Sequence, residues 1–247
     1  MTAHLVSIRT APAGPRLCLR LHLSHGDTAP QTPAGHMNTL QLRYAIVDDA
    51  VTLRPLIDGA DLLDDYSNSQ GRDPNHLLPP LSTRLFPARG AHRVIIGVCS
   101  CGETGCGSLE MSIRRSGKEV LWEPVEATKD ETLRRSYQFD LHAYLDAVDG
   151  AASDPPAGEG VGRRVARDVR VRLGMYDQRY ESMTMFHRAT IDWISAWPWN
   201  SPVVKASVTS SAGQSVHEFT LQRDESEDRF AARIATELAR LRLPTDR

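Results

Sequence analysis

The sequence predicts an α+β protein in which a β-rich N-terminal domain, residues 1–150, precedes a smaller helix–hairpin–helix domain, residues 161–247. Apolar residues alternate with polar ones over most of the first half, which is typical of half-buried strands. Residues 151–160, AASDPPAGEG, contain two prolines and two glycines and indicate a linker. Beyond the linker, apolar residues recur at helical spacing on both sides of a hairpin.

Alternating or continuous apolar residues mark the strands of the first half. They lie at residues 17–23, 40–46, 93–98, 108–114 and 120–122. The last three follow one another through short turns and therefore predict an antiparallel meander with a cysteine knuckle. Asp58-Gly59 indicates a tight turn. Residues 70–90 are rich in Pro, Asn, Asp and Gly and predict a long loop.

Helical spacing of apolar residues occurs three times. The predicted helices begin at Asp140, at Val161 and at the capping pair Asp224 and Glu227. Gly150 lies just past the end of the first helix, and Pro244 follows the last one. Residues 204–209 and 215–221 form a predicted hairpin before the last helix. Residues 175–199 show no pattern that assigns them to a helix or a strand.

The cysteines are concentrated in one turn, residues 99–107, CSCGETGCG, between two predicted strands. The spacing Cys-x-Cys-x4-Cys brings the three sulfurs together at a hairpin tip, and the glycines let the backbone fold tightly around them. Converging thiolates are typical of structural zinc. The sequence therefore predicts a zinc site, whose ligands are Cys99, Cys101, Cys106 and Cys18. The alternatives to Cys18 as fourth ligand are His142, His187 and water.

Two other interpretations of the turn stay open. In the first, Cys101 or Cys106 is a redox nucleophile whose thiolate is favoured by the backbone N–H groups of the turn. In the second, the cysteines are small buried hydrophobes. Four cysteines in 247 residues, three of them within eight positions, suit a metal or redox site better than a disulfide scaffold.

A resemblance covers the cysteine turn and the segments after it. Residues 94–125, VIIGVCSCGETGCGSLEMSIRRSGKEVLWEPV, and residues 137–148, YQFDLHAYLDAV, resemble a group of uncharacterised bacterial proteins. These proteins share a Cys-Gly-x-x-Gly-Cys-Gly turn, a strand ending in an exposed Trp and an aromatic-led helix. They often begin the turn with Cys-x-x-Cys, whereas one residue separates Cys99 from Cys101 here. The resemblance implies no activity.

The composition excludes several classes of partner. The chain is 40% hydrophobic and 24% charged, which is the balance of a soluble folded protein. Its 29 basic and 31 acidic side chains leave a net charge of -2, so we predict neither nucleic acid nor a membrane as partner. No leader and no stretch of about 20 apolar residues is present, which predicts a cytoplasmic location.

A glycine run precedes the basic start of the second predicted helix. Residues 158–162, GEGVG, resemble a phosphate-binding turn, but no strand is predicted before them, so a flexible linker is the stronger interpretation. Five arginines follow: Arg163, Arg164, Arg167, Arg170 and Arg172. They are candidates for an acidic partner, but they spread around the helix, which indicates a solvated face.

Three more groups of residues carry weaker signals. The aspartates of residues 58–65 are dense but lack the spacing of a calcium loop. His142 and Asp146, four residues apart, indicate an exposed ion pair more strongly than a catalytic base. Three tryptophans lie close together, at Trp193, Trp197 and Trp199. They suit an interface or a ligand cleft, but burial in the core is the stronger expectation, since the second half has few other aromatics.

These observations predict an accessory or interaction protein of the immunity or antitoxin type, with a protein partner and a structural, zinc-binding cysteine turn. The alternative is a thiol- or metal-dependent enzyme that acts at the cysteine turn, in a cleft between the two domains. No catalytic residue is assigned from the sequence.

Overall fold

The computed structural model describes residues 36–64, 69–100, 107–125, 135–176 and 189–242. Within these ranges it contains eleven strands in mostly antiparallel sheets and three α-helices. The α+β class and the β-rich character are therefore confirmed. None of the helices in these ranges is both long enough and apolar enough to cross a membrane. The strand predicted at residues 17–23 lies outside the described residues.

Strands dominate the first half of the described chain. They are Leu40–Val47 (β1), Ala50–Ile57 (β2), Ala60–Asp61 (β3), Ser69–Gly71 (β4), His92–Cys99 (β5), Ser108–Ser116 (β6), Glu119–Pro124 (β7) and Tyr137–Asp140 (β8). β1 to β3 form one sheet and β4 to β8 another, each in chain order. Leu53 of β2 donates its N–H to the carbonyl of Arg72 at 2.8 Å, and Asn38 bridges to Phe139 of β8. These two contacts join the two sheets at both of their sides, so the strands β1 to β8 form a closed ring.

Three aromatic side chains lie among the aliphatic residues in the core of the ring. Trp122 and Phe139 contact Tyr144 of the first helix, Leu141–Ser153 (α1), with ring centroids 6.1 and 5.6 Å from its ring. The Trp122 indole N–H donates to the Tyr144 hydroxyl at 3.2 Å, which in turn donates to the Leu85 carbonyl at 2.7 Å. Trp122 is fully buried, so the exposed tryptophan that the resemblance implied at this strand does not occur.

Residues 70–90, predicted as a long loop, contribute to this core. Apart from β4 and a short 3-10 helix, Pro74–His76, their backbone is irregular, but four of their leucines are at most 2% exposed. These are Leu77, Leu78, Leu81 and Leu85. Leu77, Leu81 and Leu85 are spaced four residues apart as in a helix, but Pro79 and Pro80 exclude a helix here, so periodicity does not reveal that these leucines are buried.

The second half contains the remaining elements. They are Val161–Arg172 (α2), Ala189–Ser195 (β9), Val203–Ser210 (β10), Gly213–Thr220 (β11) and Glu227–Arg242 (α3). The strands form an antiparallel sheet in the order β11-β10-β9. α2 and α3 cover one face of this sheet, where Val169, Val204 and Phe230 are completely buried. β9 lies in the stretch that had no clear sequence pattern, and it adds a third strand to the predicted hairpin.

α1 continues to Ser153, beyond the predicted end at Gly150. Ala151 is buried, and the Tyr44 hydroxyl donates to its carbonyl. Residues 151–153 of the predicted linker therefore belong to a packed helix.

Candidate protein-interaction site

The structure describes one of the predicted zinc ligands. Cys99 ends β5 opposite Ser69, and its N–H donates to the Gly107 carbonyl at 2.9 Å. The cysteine segment therefore connects two paired strands. Four other candidate ligands lie outside the described ranges: Cys18, Cys101, Cys106 and His187. The zinc site therefore stays a prediction. Among the residues that are described, no group of three His, Cys, Asp or Glu side chains is placed to hold a metal ion.

His142 lies too far from Cys99 to complete such a site. The N–H of Leu141 donates to the Lys118 carbonyl at 2.8 Å, so α1 begins at the β6–β7 turn. The cysteine segment lies at the other end of β6, and a strand of nine residues is about 27 Å long. His142 is 87% exposed and lies 3.5 Å from Asp146. The exposed pair is confirmed, and His142 is not close enough to Cys99 for both to bind one zinc ion.

The aspartates of residues 58–65 bind groups of the chain itself. Asp61 accepts hydrogen bonds from Arg54 at 2.6 Å and from Arg43 at 3.3 Å. Asp58 accepts the N–H of Thr39 at 2.7 Å. Asp65 lies outside the described residues. These contacts give the described aspartates a structural role at the turns of β2 and β3.

The glycine run holds a neighbouring loop and has no room for a phosphate. The N–H of Gly162, at the start of α2, donates to the Ser201 carbonyl at 3.0 Å, and that of Gly160 to the Trp199 carbonyl at 3.2 Å. A Cβ on Gly160 would lie 2.3 Å from the carbonyl carbon of Asn200. Glycine is therefore required by the close approach of two backbone segments, and the flexible-linker interpretation is wrong for residues 158–162.

Glu159 is the centre of a buried ionic cluster. Its carboxylate, 3% exposed, accepts hydrogen bonds from Arg167 at 2.8 and 3.0 Å and lies 3.1 Å from Nε of Arg163. The Arg163 guanidinium also donates to Asp73 at 2.9 and 3.3 Å. Arg163 and Arg170 are only 8% exposed. The predicted solvated face is therefore wrong for these two arginines, which lie where α2 meets the segment after β4.

Two titratable groups at this junction differ in charge at pH 7. Burial opposes ionisation of Asp73, but the facing Arg163 guanidinium outweighs it and lowers the pKa of the carboxyl. Burial lowers the pKa of His76 to about 4 despite the nearby Asp73, so its imidazole is neutral. The Arg72 guanidinium lies 3.2 Å from Nδ1 of His76. The Asp73 and Arg163 charges therefore hold α2 against the segment after β4.

Two of the three clustered tryptophans are exposed. Along β9 and the residues after it, Trp193, Ser195 and Trp197 are exposed, whereas Ile194 and Ala196 between them are buried. The exposed fraction is 38% for Trp193 and 62% for Trp197, so the expectation of core burial is wrong for both. Alternation places Trp193 and Ser195 on the sheet face opposite the helices, and Trp197 follows two residues after the end of β9. Trp199 is partly buried and lies against Gly158.

A polar network supports this face beside Trp193. Asp192 is the extra residue of a β-bulge, and its carboxylate accepts hydrogen bonds from the Ser207 and Thr209 hydroxyls, each at 2.8 Å. Ser207 is paired with Trp193 on one side and with Val216 on the other, and it is fully buried. Trp193, Val216, which is 54% exposed, and the Gln214 amide, which donates to the Ser207 hydroxyl at 2.8 Å, therefore cover it. We call Trp193, Trp197 and Val216 the tryptophan face.

The tryptophans were evident in the sequence, whereas Asp192 and Val216 were not. Alternation in residues 189–193, ATIDW, indicates a strand but places Trp193 on the face of Ala189 and Ile191, and the bulge at Asp192 moves it to the other face. No protein-family model matches the chain, and no curated protein and no solved structure matches it at significant similarity. These comparisons therefore assign the chain to no class of protein.

Proposed function

We propose that the protein is an interaction protein that binds a protein partner through the tryptophan face. The observation that carries this proposal is the exposure of Trp193 on the face of the β9–β11 sheet that the described helices do not cover, together with the exposure of Trp197 just after β9. Tryptophan is enriched among the residues that dominate binding energy in protein interfaces. Trp193 is held by a strand and its bulge, so little conformational entropy is lost when it is covered.

The surroundings of the face favour a protein as the partner. On this side of the sheet Lys205 and Glu218 form an ion pair at 2.7 Å on one side of Ser207, and the exposed Thr209 lies on the other side of it. An apolar centre with a mixed polar rim is the usual anatomy of a protein interface. Aromatic residues that bind anionic membranes are instead accompanied by unpaired basic residues. That this protein is itself of the immunity or antitoxin type is proposed from the sequence alone.

We expect the variant W193A/W197A to lose partner binding while keeping its fold. Because truncating a central tryptophan typically costs about 2 kcal/mol or more, the double variant binds roughly a hundredfold or more weakly. A photo-crosslinking residue at Ser195, between the two tryptophans, captures the partner. Titration calorimetry with the captured protein then measures the dissociation constant of each variant.

Tyr176 provides the matched control, because it is an aromatic residue that is 51% exposed just after α2. The variant Y176A is expected to bind as tightly as the wild type. A crosslinker at Lys118, in the β6–β7 turn, is expected to capture nothing. Equal capture from Ser195 and Lys118, or equal affinity of W193A/W197A and Y176A, would contradict the proposal.

We further propose that the cysteine turn is structural and binds zinc, within the β-rich domain before residues 151–160. About one zinc per chain and loss of the native fold with a chelator are expected, since a structural metal site contributes its binding energy to folding. The variant C101S/C106S is expected to be metal-free, and elemental analysis of the purified proteins makes the comparison. Metal-free wild-type protein with one rapidly alkylated thiol would instead support the thiol enzyme.

A further inference from the structure

The turn between β1 and β2 lies beside the loop that contains Trp197. The N–H of Trp199 donates to the Asp49 carbonyl of this turn at 2.9 Å, and the N–H of Gly160 donates to the Trp199 carbonyl at 3.2 Å. The loop is therefore held between the turn and the start of α2. Consecutive Cα atoms are about 3.8 Å apart, so the Cα atoms of Trp197 and Trp199 are within about 8 Å of each other. The turn is thus fixed close to the exposed Trp197.

This turn carries two negative charges. Asp48 and Asp49 are both exposed, with φ angles of 48° and 61°. Two successive residues with positive φ form the type I′ turn that is favoured in tight hairpins. Neither carboxylate forms an ion pair with another residue that the structure describes. Both charges are therefore available to a ligand.

The strand residues on the side of the sheet that carries Trp193 have a net negative charge as well. The register of β9 to β11 places three charged side chains there: Asp192, Lys205 and Glu218. Lys205 and Glu218 compensate each other at 2.7 Å. The Asp192 carboxylate, which accepts hydrogen bonds from two neutral hydroxyl groups, contributes the remaining charge. Carboxylates therefore lie near both exposed tryptophans.

We propose that the partner binds the tryptophan face through a basic segment, with an arginine or lysine over the ring of Trp197 and its charge toward the β1–β2 turn. This inference rests on the proposed function and adds the chemistry of the partner. A cation is attracted to the face of an aromatic ring, and tryptophan attracts it most strongly. Screening at physiological ionic strength acts over about 8 Å, so the two aspartates attract a cation that lies there.

The same charges disfavour other partners. An acidic protein segment or a nucleic acid brings negative charge against the turn and Asp192, and like charges across an interface exclude a partner. A segment of neutral side chains leaves the charges of Asp48 and Asp49 uncompensated. A basic segment is the complement of this surface, and arginine suits it best, because its guanidinium both stacks on aromatic rings and donates to carboxylates.

Selection from a random peptide library tests the chemistry without knowledge of the partner. The full chain is the bait, and peptides that also bind W193A/W197A are discarded. The retained peptides are expected to be enriched in arginine and lysine over the unselected library. Retained peptides without this enrichment overturn the inference and leave the proposed function standing. If no peptide depends on the two tryptophans, the inference is overturned together with peptide binding at this face.

The variant D48N/D49N tests the part of the β1–β2 turn. Asparagine adopts positive φ as readily as aspartate, so the turn is kept while both charges are removed. This variant is expected to bind the retained peptides about fivefold more weakly than the wild type and with less dependence on salt. Fluorescence anisotropy of a labelled peptide measures the dissociation constants.

The matched control is D146N/D149N, which removes two charges from the exposed side of α1. It leaves the chain with the same net charge as D48N/D49N and is expected to bind like the wild type. If the two double variants bind the peptides equally, the charge of the turn plays no part and the inference is overturned, even where W193A/W197A abolishes binding.

Discussion

The variant G160A is expected to lose roughly 3 to 5 kcal/mol of its free energy of unfolding. The new Cβ would lie 2.3 Å from the carbonyl carbon and 2.5 Å from the carbonyl oxygen of Asn200. Both are backbone atoms, so no side-chain rotation relieves the overlap. The segment around Gly160 must move away from the loop, and the hydrogen bonds to Trp199 and Ser201 weaken.

Gly150 is the matched control for this substitution. It lies in α1 with nothing within 4 Å of the position that a Cβ would take. Alanine is favoured over glycine in helices by about 1 kcal/mol, so G150A is expected to be as stable as the wild type or slightly more stable. Urea unfolding followed by tryptophan fluorescence measures both variants. A G160A protein within about 1 kcal/mol of the wild type would show that the two backbone segments separate at little cost.

The variant E159Q is expected to cost about 3 kcal/mol, because it removes the carboxylate that Arg167 contacts and one of the two that the buried Arg163 contacts. The side chain keeps its shape, so the loss comes from charge and hydrogen bonding. Glu159 contacts both Arg163 and Arg167, and Asp73 compensates only Arg163. Because the carboxylate is 3% exposed, added salt is expected to change this loss little.

The variant E227Q separates burial from ion pairing. Glu227 accepts two hydrogen bonds from Arg164, at 2.6 and 3.1 Å, but its side chain is 43% exposed. Exposed pairs contribute about 1 kcal/mol or less, so E227Q is expected to unfold at nearly the wild-type urea concentration. If E159Q and E227Q lower the free energy of unfolding by the same amount, burial does not determine how much Glu159 contributes to stability.

Local patterns of the sequence were sufficient for many elements of the fold. The helix starting at Val161 follows from apolar residues four apart, because one face of α2 packs on the sheet. The first helix was assigned from Asp140, whose carboxylate accepts the N–H groups of His142 and Ala143. Its end was misplaced, because Ala151 is held by contacts with Tyr44 from a distant strand.

The candidate site was harder to predict from the sequence than the elements of the fold were. Three tryptophans in seven residues indicated either a core or an interface, and composition favoured the core. The choice depends on which sheet face the helices cover, and that is a property of packing between distant segments. Val216 gave no signal of its own, because it joins the tryptophan face only through the register of β10 with both its neighbours.

By itself the sequence determined the α+β class, the hairpin of β10 and β11 and the helical stripe of α2, since these follow from the periods of strand and helix along a few residues. The tertiary structure alone decided that Glu159 and Arg163 are buried and that Trp197 is exposed. The physical reason is that burial and charge compensation depend on neighbours in space. Arg163 meets Asp73 across 90 residues of chain, and no local pattern contains that contact.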